Sequence, residues 1–250
     1  MNKQRFYIDT EGNDDAAYRE AIQFACKLAD DDPGIARIVL LVATKRTTGW
    51  FERLFGENTV KQLFSGVKFK NCRPVIKLES LQTFRAGNVA ADAIITCGLD
   101  DKDVLKIDDC YSAKVIIAVP WLREYLQKWI QTWNPADIRS NQHSSAFPEP
   151  SCIVKKAMEN LTNSINMSTG IHHPSDENRA KTFIRALHKY EPSLEANVVG
   201  AYLIRELGWT TNHAQDVEKL IETLNAGRYF RGGEKTGLSN YYKRWKELCK

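Results

Sequence analysis

The sequence predicts an α/β fold: a doubly wound, mostly parallel five-stranded sheet of Rossmann-like type, followed by a helical domain. Three observations carry this. Up to about residue 133, short apolar runs recur, separated by helices or helix-length connections. Beyond about residue 152 only helical periodicity remains. Between the two, Asn134 to Ser151 holds Asn-Pro, Ser-Asn, Ser-Ser and Phe-Pro-Glu-Pro, which break any period. The expected organisation is a ligand-binding α/β domain over 1–133, a linker over 134–151 and a helical domain over 152–250.

Phe6 to Ile8 is the first short strand. Asp14 to Ala29 reads as a helix whose apolar face is Ala17, Ala21, Ile22, Phe24, Ala25 and Leu28. Ile38 to Ala43 is continuously apolar, the mark of a strand covered on both faces. Trp50 to Phe64 is helix-like, and Pro74 to Leu78 is the third strand. Asp92 to Cys97 and Val115 to Val119 follow, ended by Gly98 and Pro120. A helix then carries Leu122, Leu126, Trp129, Ile130 and Trp133. The rings of Trp129 and Trp133 lie one turn apart and read as packing. Helical patterns occupy 152–166, 176–190, 194–207, 212–226 and 239–248, with Ser175 as the N-cap signal of the second.

A hydrophobic fraction of 43% and a charged fraction of 26% over 250 residues belong to a globular chain able to bury a sizeable core. They exclude a disordered chain, and no apolar run approaches the length of a membrane span. Met-Asn-Lys-Gln-Arg at the start has no apolar segment behind it. The six cysteines are scattered without a C-x-x-C pair, and Cys26 and Cys97 read as small buried hydrophobes. A reduced, cytoplasmic protein is expected. The tail sets Arg228, Arg231, Lys235, Lys243, Arg244, Lys246 and Lys250 against Glu234 and Glu247. Such a surface suits nucleic acid, an acidic partner or an anionic membrane surface, or is a plain solvated face.

Asp9, Glu11, Asp14 and Asp15 crowd the end of the first strand, where α/β proteins place ligands. Two readings stay open. Asp9, Asp14 and Asp15 could hold Mg²⁺ or Ca²⁺, since hard cations take oxygen ligands and offset carboxylate repulsion. Alternatively, Asn13 or Asp14 caps the following helix and the other acids favour its N-terminal dipole. The octet Asp-Thr-Glu-Gly-Asn-Asp-Asp-Ala from Asp9 resembles the opening motif of nucleoside hydrolases, Asp-Thr-Asp-Pro-Gly-x-Asp-Asp-Ala, one residue shorter and without its proline. That resemblance implies Ca²⁺ on a strand-to-helix turn, orienting an attacking water.

Thr44-Lys45-Arg46-Thr47-Thr48-Gly49 follows the second strand. Two cations and three hydroxyls just before a helix suit phosphate or another anion, although the P-loop spacing is absent. Gly98 would let a ligand approach the backbone closely. His172-His173 has no third ligand at zinc spacing, and no nucleophile elbow occurs. From Val198 to Gly233, a helix ending at Leu-Gly, a Thr-Thr-Asn turn, a second helix and a basic glycine-containing ribbon resemble a winged helix. The resemblance implies base reading by Thr211, Asn212 and Gln215, and phosphate contacts from Arg228, Arg231 and Lys235. Asp216, Glu218 and Glu222 on the reading helix depart from that pattern.

The expected function is a cytoplasmic sensor or effector. Its α/β domain would bind a nucleotide-like or phosphorylated ligand through Asp9, Glu11, Thr44, Lys45, Arg46, Thr47 and Gly98. Its helical domain would engage a protein partner or nucleic acid. The alternative is a metal-dependent hydrolase of a nucleoside, nucleotide or phosphoester, with Mg²⁺ or Ca²⁺ in the 9–15 loop and Glu11 as base.

Overall fold

The computed structural model describes residues 3–12, 14–46, 48–191 and 193–250. The chain divides into two compact units, Met1–Ser145 and Ala146–Lys250.

The first unit is built on one sheet. Its strands are β1 (Gln4–Tyr7), β2 (Arg37–Val42), β3 (Val75–Ser80), β4 (Asp92–Cys97), β5 (Ala113–Val119) and β6 (Ala136–Asp137). They pair in the order β3-β2-β4-β5-β1-β6, every pair parallel. The sheet thus has six strands, not the five predicted. The extra strand holds two residues from the segment expected as linker, and it is too short to show a period. Its existence depends on pairing with β1, Phe6 against Ala136 and Tyr7 against Asp137.

Alternation along the strands divides the core between two faces. Ile38, Leu40, Ile76, Ile95 and Ile117 pack with α1 (Asp15–Asp31), α2 (Gly49–Phe55) and α3 (Glu57–Leu63). Val39, Leu41, Ile94, Ile116 and Trp129 pack with α4 (Asp101–Asp108) and α5 (Gln127–Trp133). The single helix predicted over 50–64 is interrupted at Gly56, whose φ of +79° no helix interior accepts. The chain leaves β1 and β2 over the first face, and β4 and β5 over the second. The neighbouring pairs β2/β4 and β5/β1 therefore send their connections to opposite sides, which opens crevices at the C-terminal edge.

At the other edge, buried Asp108 takes a two-pronged bond from Arg5, with Nε at 2.9 Å and Nη2 at 2.9 Å. It also accepts the indole N–H of Trp129 at 2.7 Å. Trp129 is fully buried, and the Arg5 guanidinium lies 3.4 Å over the Trp133 ring, so this part of the tryptophan stripe is packing.

Cysteine usage departs from expectation. Cys26 of α1 is bonded to Cys72, and Cys152 to Cys249; Cys97 and Cys110 are thiols. The partners are 46 and 97 residues apart, beyond any local pattern. Cys97 is a small buried hydrophobe, as read, and burial pushes its thiol pKa up.

The second unit contains α6 (Cys152–Thr162), α7 (Pro174–Tyr190), α8 (Ala196–Arg205), α9 (Thr211–Asn225) and α10 (Leu238–Glu247). These are the helices the periodicity predicts. The cap of α7 is His173 rather than Ser175: its ring accepts the Ser175 amide, and Pro174 takes the first helical position. Among the described residues the unit has no strand, so no β-ribbon wing forms. Residues 226–237 instead form a glycine-containing loop bonded to α7 through Asn178, Thr182 and Arg185. Among the described residues, no helix is long and apolar enough to cross a membrane.

Candidate functional site

The register of the sheet sets one row of strand ends. Ser80 is level with Val42, Val42 with Cys97, and Cys97 with Val119, while Tyr7 lies beside Ala118. The loops that follow β1, β2, β4 and β5 therefore leave from the same edge. Asp9, Glu11, Asp14, Asp15, Thr44, Lys45, Arg46 and Gly98 all lie on those loops or at the first helical turn beyond. Thr47 and Asn13 lie outside the described residues.

Asp14 is the N-cap of α1. One carboxylate oxygen accepts the Ala17 amide at 3.0 Å; the other accepts the Thr10 hydroxyl at 2.7 Å and Arg139 at 2.9 Å. Partial burial works to raise its pKa, but the bonds from Thr10, Ala17 and Arg139 hold it below the usual carboxylate range. Asp15 is gripped by Arg53 through two bonds, at 2.7 and 2.9 Å, which likewise lower its pKa. Arg123 reaches Asp9 at 3.2 Å and Glu11 at 4.0 Å. Each acid of the loop thus has a guanidinium beside it, and the repulsion read from sequence is offset without a metal ion. Among the described residues, no group of three or more His, Cys, Asp or Glu is placed to hold a metal ion. Asp9, Asp14 and Asp15 are not brought together around a common centre.

Two further contacts shape this loop. Gly12, at φ +71°, donates its amide to the Trp121 carbonyl at 2.7 Å, tying the acidic loop to the one after β5. Buried Asp137 accepts the Asp9 amide at 3.2 Å and the Ser140 hydroxyl at 2.7 Å.

The basic loop differs. Lys45 and Arg46 are exposed and form no ion pair with the described residues; Lys45 Nζ lies 5.0 Å from the Phe64 ring centre. Thr48 precedes α2 without capping it, and its hydroxyl bonds Glu52 at 3.2 Å. On the neighbouring strand Gly98 turns at φ +68°, and a methyl group there would sit 3.7 Å from Trp121 Cβ and 3.9 Å from the Tyr18 hydroxyl. The Tyr18 ring stacks on Trp50 at 5.6 Å, and Trp50 lies 6.3 Å from Trp121. The Tyr18 hydroxyl and the Trp50 indole N–H are buried with no hydrogen-bond partner among the described residues.

Sequence reading missed Arg53, Arg123, Arg139, Asp137 and the part played by Trp121. Their contacts to the acidic loop are long-range: 38 residues for Arg53, 125 for Arg139 and 128 for Asp137. The available signal was a surplus of acids at one strand end, which demands cations from elsewhere in the chain.

In the helical unit, Thr211 is 1% exposed and cannot present a side chain to bases. Asn212 is exposed and Gln215 half-buried on α9. The same helix carries Asp216, bonded to Lys219 and to His172, each at 2.8 Å. Arg228, Arg231 and Lys235 are exposed in the 226–237 loop, free of ion pairs among the described residues, and Tyr229 between them is 89% exposed.

The class these observations define is an α/β protein with an all-parallel six-stranded sheet, continued by a helical unit. Residues 150–246, within that unit, match the model of a family described as a domain of unknown function (DUF1889). Neither curated proteins nor solved structures gave a match.

Proposed function

We propose that the first unit binds a nucleotide-like or phosphorylated ligand at the C-terminal edge of its sheet. The observation that carries this is a charge asymmetry. The acids of the loop after β1 are each matched by Arg53, Arg123 or Arg139, whereas Lys45 and Arg46 are exposed and form no ion pair among the described residues, Lys45 having only the more distant charge of Glu79 in its field. The surplus charge of the basic loop is therefore positive, and it follows β2, whose neighbour β4 turns at Gly98. Phosphate oxygens would take Lys45 and Arg46, with the hydroxyl of Thr44 on the same loop. Gly98 would leave the backbone open to close approach, and exposed Trp121 would offer an apolar face to a ring. Asp9 and Glu11, through Arg123, form the acidic side of the same edge. The metal-dependent hydrolase reading would require Asp9, Asp14 and Asp15 to give up three arginines first.

In the same proposal, the second unit passes the liganded state to a partner protein or nucleic acid. Arg228, Arg231 and Lys235 around Tyr229 support a contact with anionic groups. The buried Thr211 and the acids of α9 do not favour base reading by that helix.

A thermal-shift screen of nucleotides and phosphorylated metabolites tests the ligand. At a hundredfold excess over Kd a ligand adds about 2.7 kcal/mol of stability, a shift of several degrees in the first unit. A panel without any stabilising compound would contradict the proposal.

A further inference from the structure

The helical unit carries a polar groove of about 610 Å³ between α6, α7, the 226–237 loop and α10. Its floor is the α7 stripe Asn178, Arg179 and Thr182, which falls on one helical face. The loop is locked onto that stripe. Gly233 donates its amide to Asn178 Oδ1 at 2.9 Å, and Glu234 donates its amide to Thr182 Oγ1 at 2.8 Å. A methyl group on Gly233 would lie 2.8 Å from Lys181 Cβ and 3.0 Å from the Thr182 nitrogen, so the backbone rests directly on α7.

These contacts leave a defined set of unused groups facing one space. Arg179 spends Nη1 on the Ser164 carbonyl and faces Asp176 at 3.5 Å; its Nε and Nη2 have no acceptor among the described residues. Asn178 uses its side-chain carbonyl on Gly233, leaving its NH₂ group, and the Asn160 side chain on α6 makes no hydrogen bond to the described residues. Across from these donors, Glu234 accepts the Tyr241 hydroxyl at 3.2 Å and has no cation within ion-pair distance among the described residues. Arg179 and Glu234 line the same groove without pairing with each other. Phe183 and Tyr241, with ring centres 5.4 Å apart, supply an apolar wall.

We infer that this groove binds a small zwitterion of the α-amino acid class. The ligand carboxylate takes the fork of Arg179 with the amides of Asn160 and Asn178, and its ammonium group takes Glu234. A guanidinium held on the Ser164 carbonyl and a separate carboxylate held by the Tyr241 hydroxyl complement a molecule that bears both charges, and the aromatic wall accepts its side chain. A lone anion would leave Glu234 facing it, and a neutral sugar would offer no charge to Glu234 or to the free nitrogens of Arg179.

Calorimetric titration of the full chain with free amino acids tests this, alongside their N-acetyl and carboxamide forms, glucose and inorganic phosphate. At least one free amino acid should bind, and blocking either its amine or its carboxylate should weaken binding about tenfold or more, the loss of one charge-assisted bond. Glu234→Gln should weaken the free amino acid to the same degree, leave the N-acetyl form unchanged and leave the melting temperature unchanged, because Glu234 sits on an exposed rim. Asn160→Ala is the matching variant on the donor side, since Arg179 also supports the Ser164 carbonyl and its loss would perturb folding. If no amino acid binds at millimolar concentration, the inference is wrong. It is equally wrong if the N-acetyl form binds as tightly as the free one, or if phosphate or glucose binds better.

Discussion

Asp14 shows how one carboxylate serves both fold and site. It caps α1, accepts the Thr10 hydroxyl and anchors Arg139, and its pKa lies below the usual range as a result. Replacing it with alanine should cost about 1 kcal/mol through the lost cap alone. Because the folded pKa is depressed, the charge contributes stability that is complete above about pH 4 and is lost as pH falls through the lower folded value. Asp14→Asn keeps the cap but cannot titrate, so its melting temperature should fall less steeply below about pH 4 than that of the parent. A parallel course for the two proteins would show that Asp14 is not held in this way. Asp108 is the stronger structural anchor. It is buried under Arg5 and Trp129, and Asp108→Asn would leave Arg5 without its counter-charge, at about 3–5 kcal/mol in a urea melt of the first unit. The cap was legible in the sequence, because an acid before an apolar-periodic run is a local signal. The arginines that neutralise the loop were not legible, since none lies near it in sequence.

Among the elements, legibility followed length and period. The five helices of the second unit and the long strands were readable because each repeats its pattern several times. β6 was not, being two residues held by its neighbour. The break at Gly56 was hidden because α2 and α3 both turn apolar residues to the sheet, and their sum reads as one amphipathic run. The winged-helix resemblance reproduced the helix pair α8 and α9 but not the ribbon, whose backbone is spent on α7 rather than on strand pairing. The disulfides belong to this scale as well, since Cys26–Cys72 ties α1 to the segment before β3, and Cys152–Cys249 ties α6 to the end of the chain. Alkylation of the denatured, unreduced protein should modify Cys97 and Cys110 alone, and all cysteines after reduction. Labelling of Cys26, Cys72, Cys152 or Cys249 before reduction would contradict the bridges. Loop-closure entropy sets the effect of reduction at about 4 kcal/mol for closures of this size.

For the whole molecule, the sequence placed the candidate residues at strand ends and left their chemistry open. Position at strand ends follows from the α/β pattern, but whether an acidic loop wants a metal or an anion lies beside it depends on which cations fold against it. Here three arginines settle onto the acids of the loop after β1, while Lys45 and Arg46 form no ion pair among the described residues. The second unit repeats the theme with its exposed cations. If Arg228, Arg231 and Lys235 contact phosphates of a duplex, each should contribute about 0.9 to the slope of log K against log salt. Reversing their charges should then weaken binding to all sequences alike, while changes at Asn212 or Gln215 should leave sequence preference untouched. A mobility-shift series across salt concentrations reads both effects, and an unchanged slope in the reversed variant would assign these residues to a protein partner or to solvent.

The proposed binding of a phosphorylated ligand by the first unit rests on Lys45 and Arg46. Its most direct measurement is calorimetric titration of nucleoside mono-, di- and triphosphates into the parent protein and into a Lys45→Ala/Arg46→Ala variant. The expected result is binding by the parent, weakened by salt, and at least tenfold weaker binding by the variant at an unchanged melting temperature, since two charge-assisted contacts are lost. Equal affinity in both proteins, or no heat from any nucleotide in the parent, would contradict it.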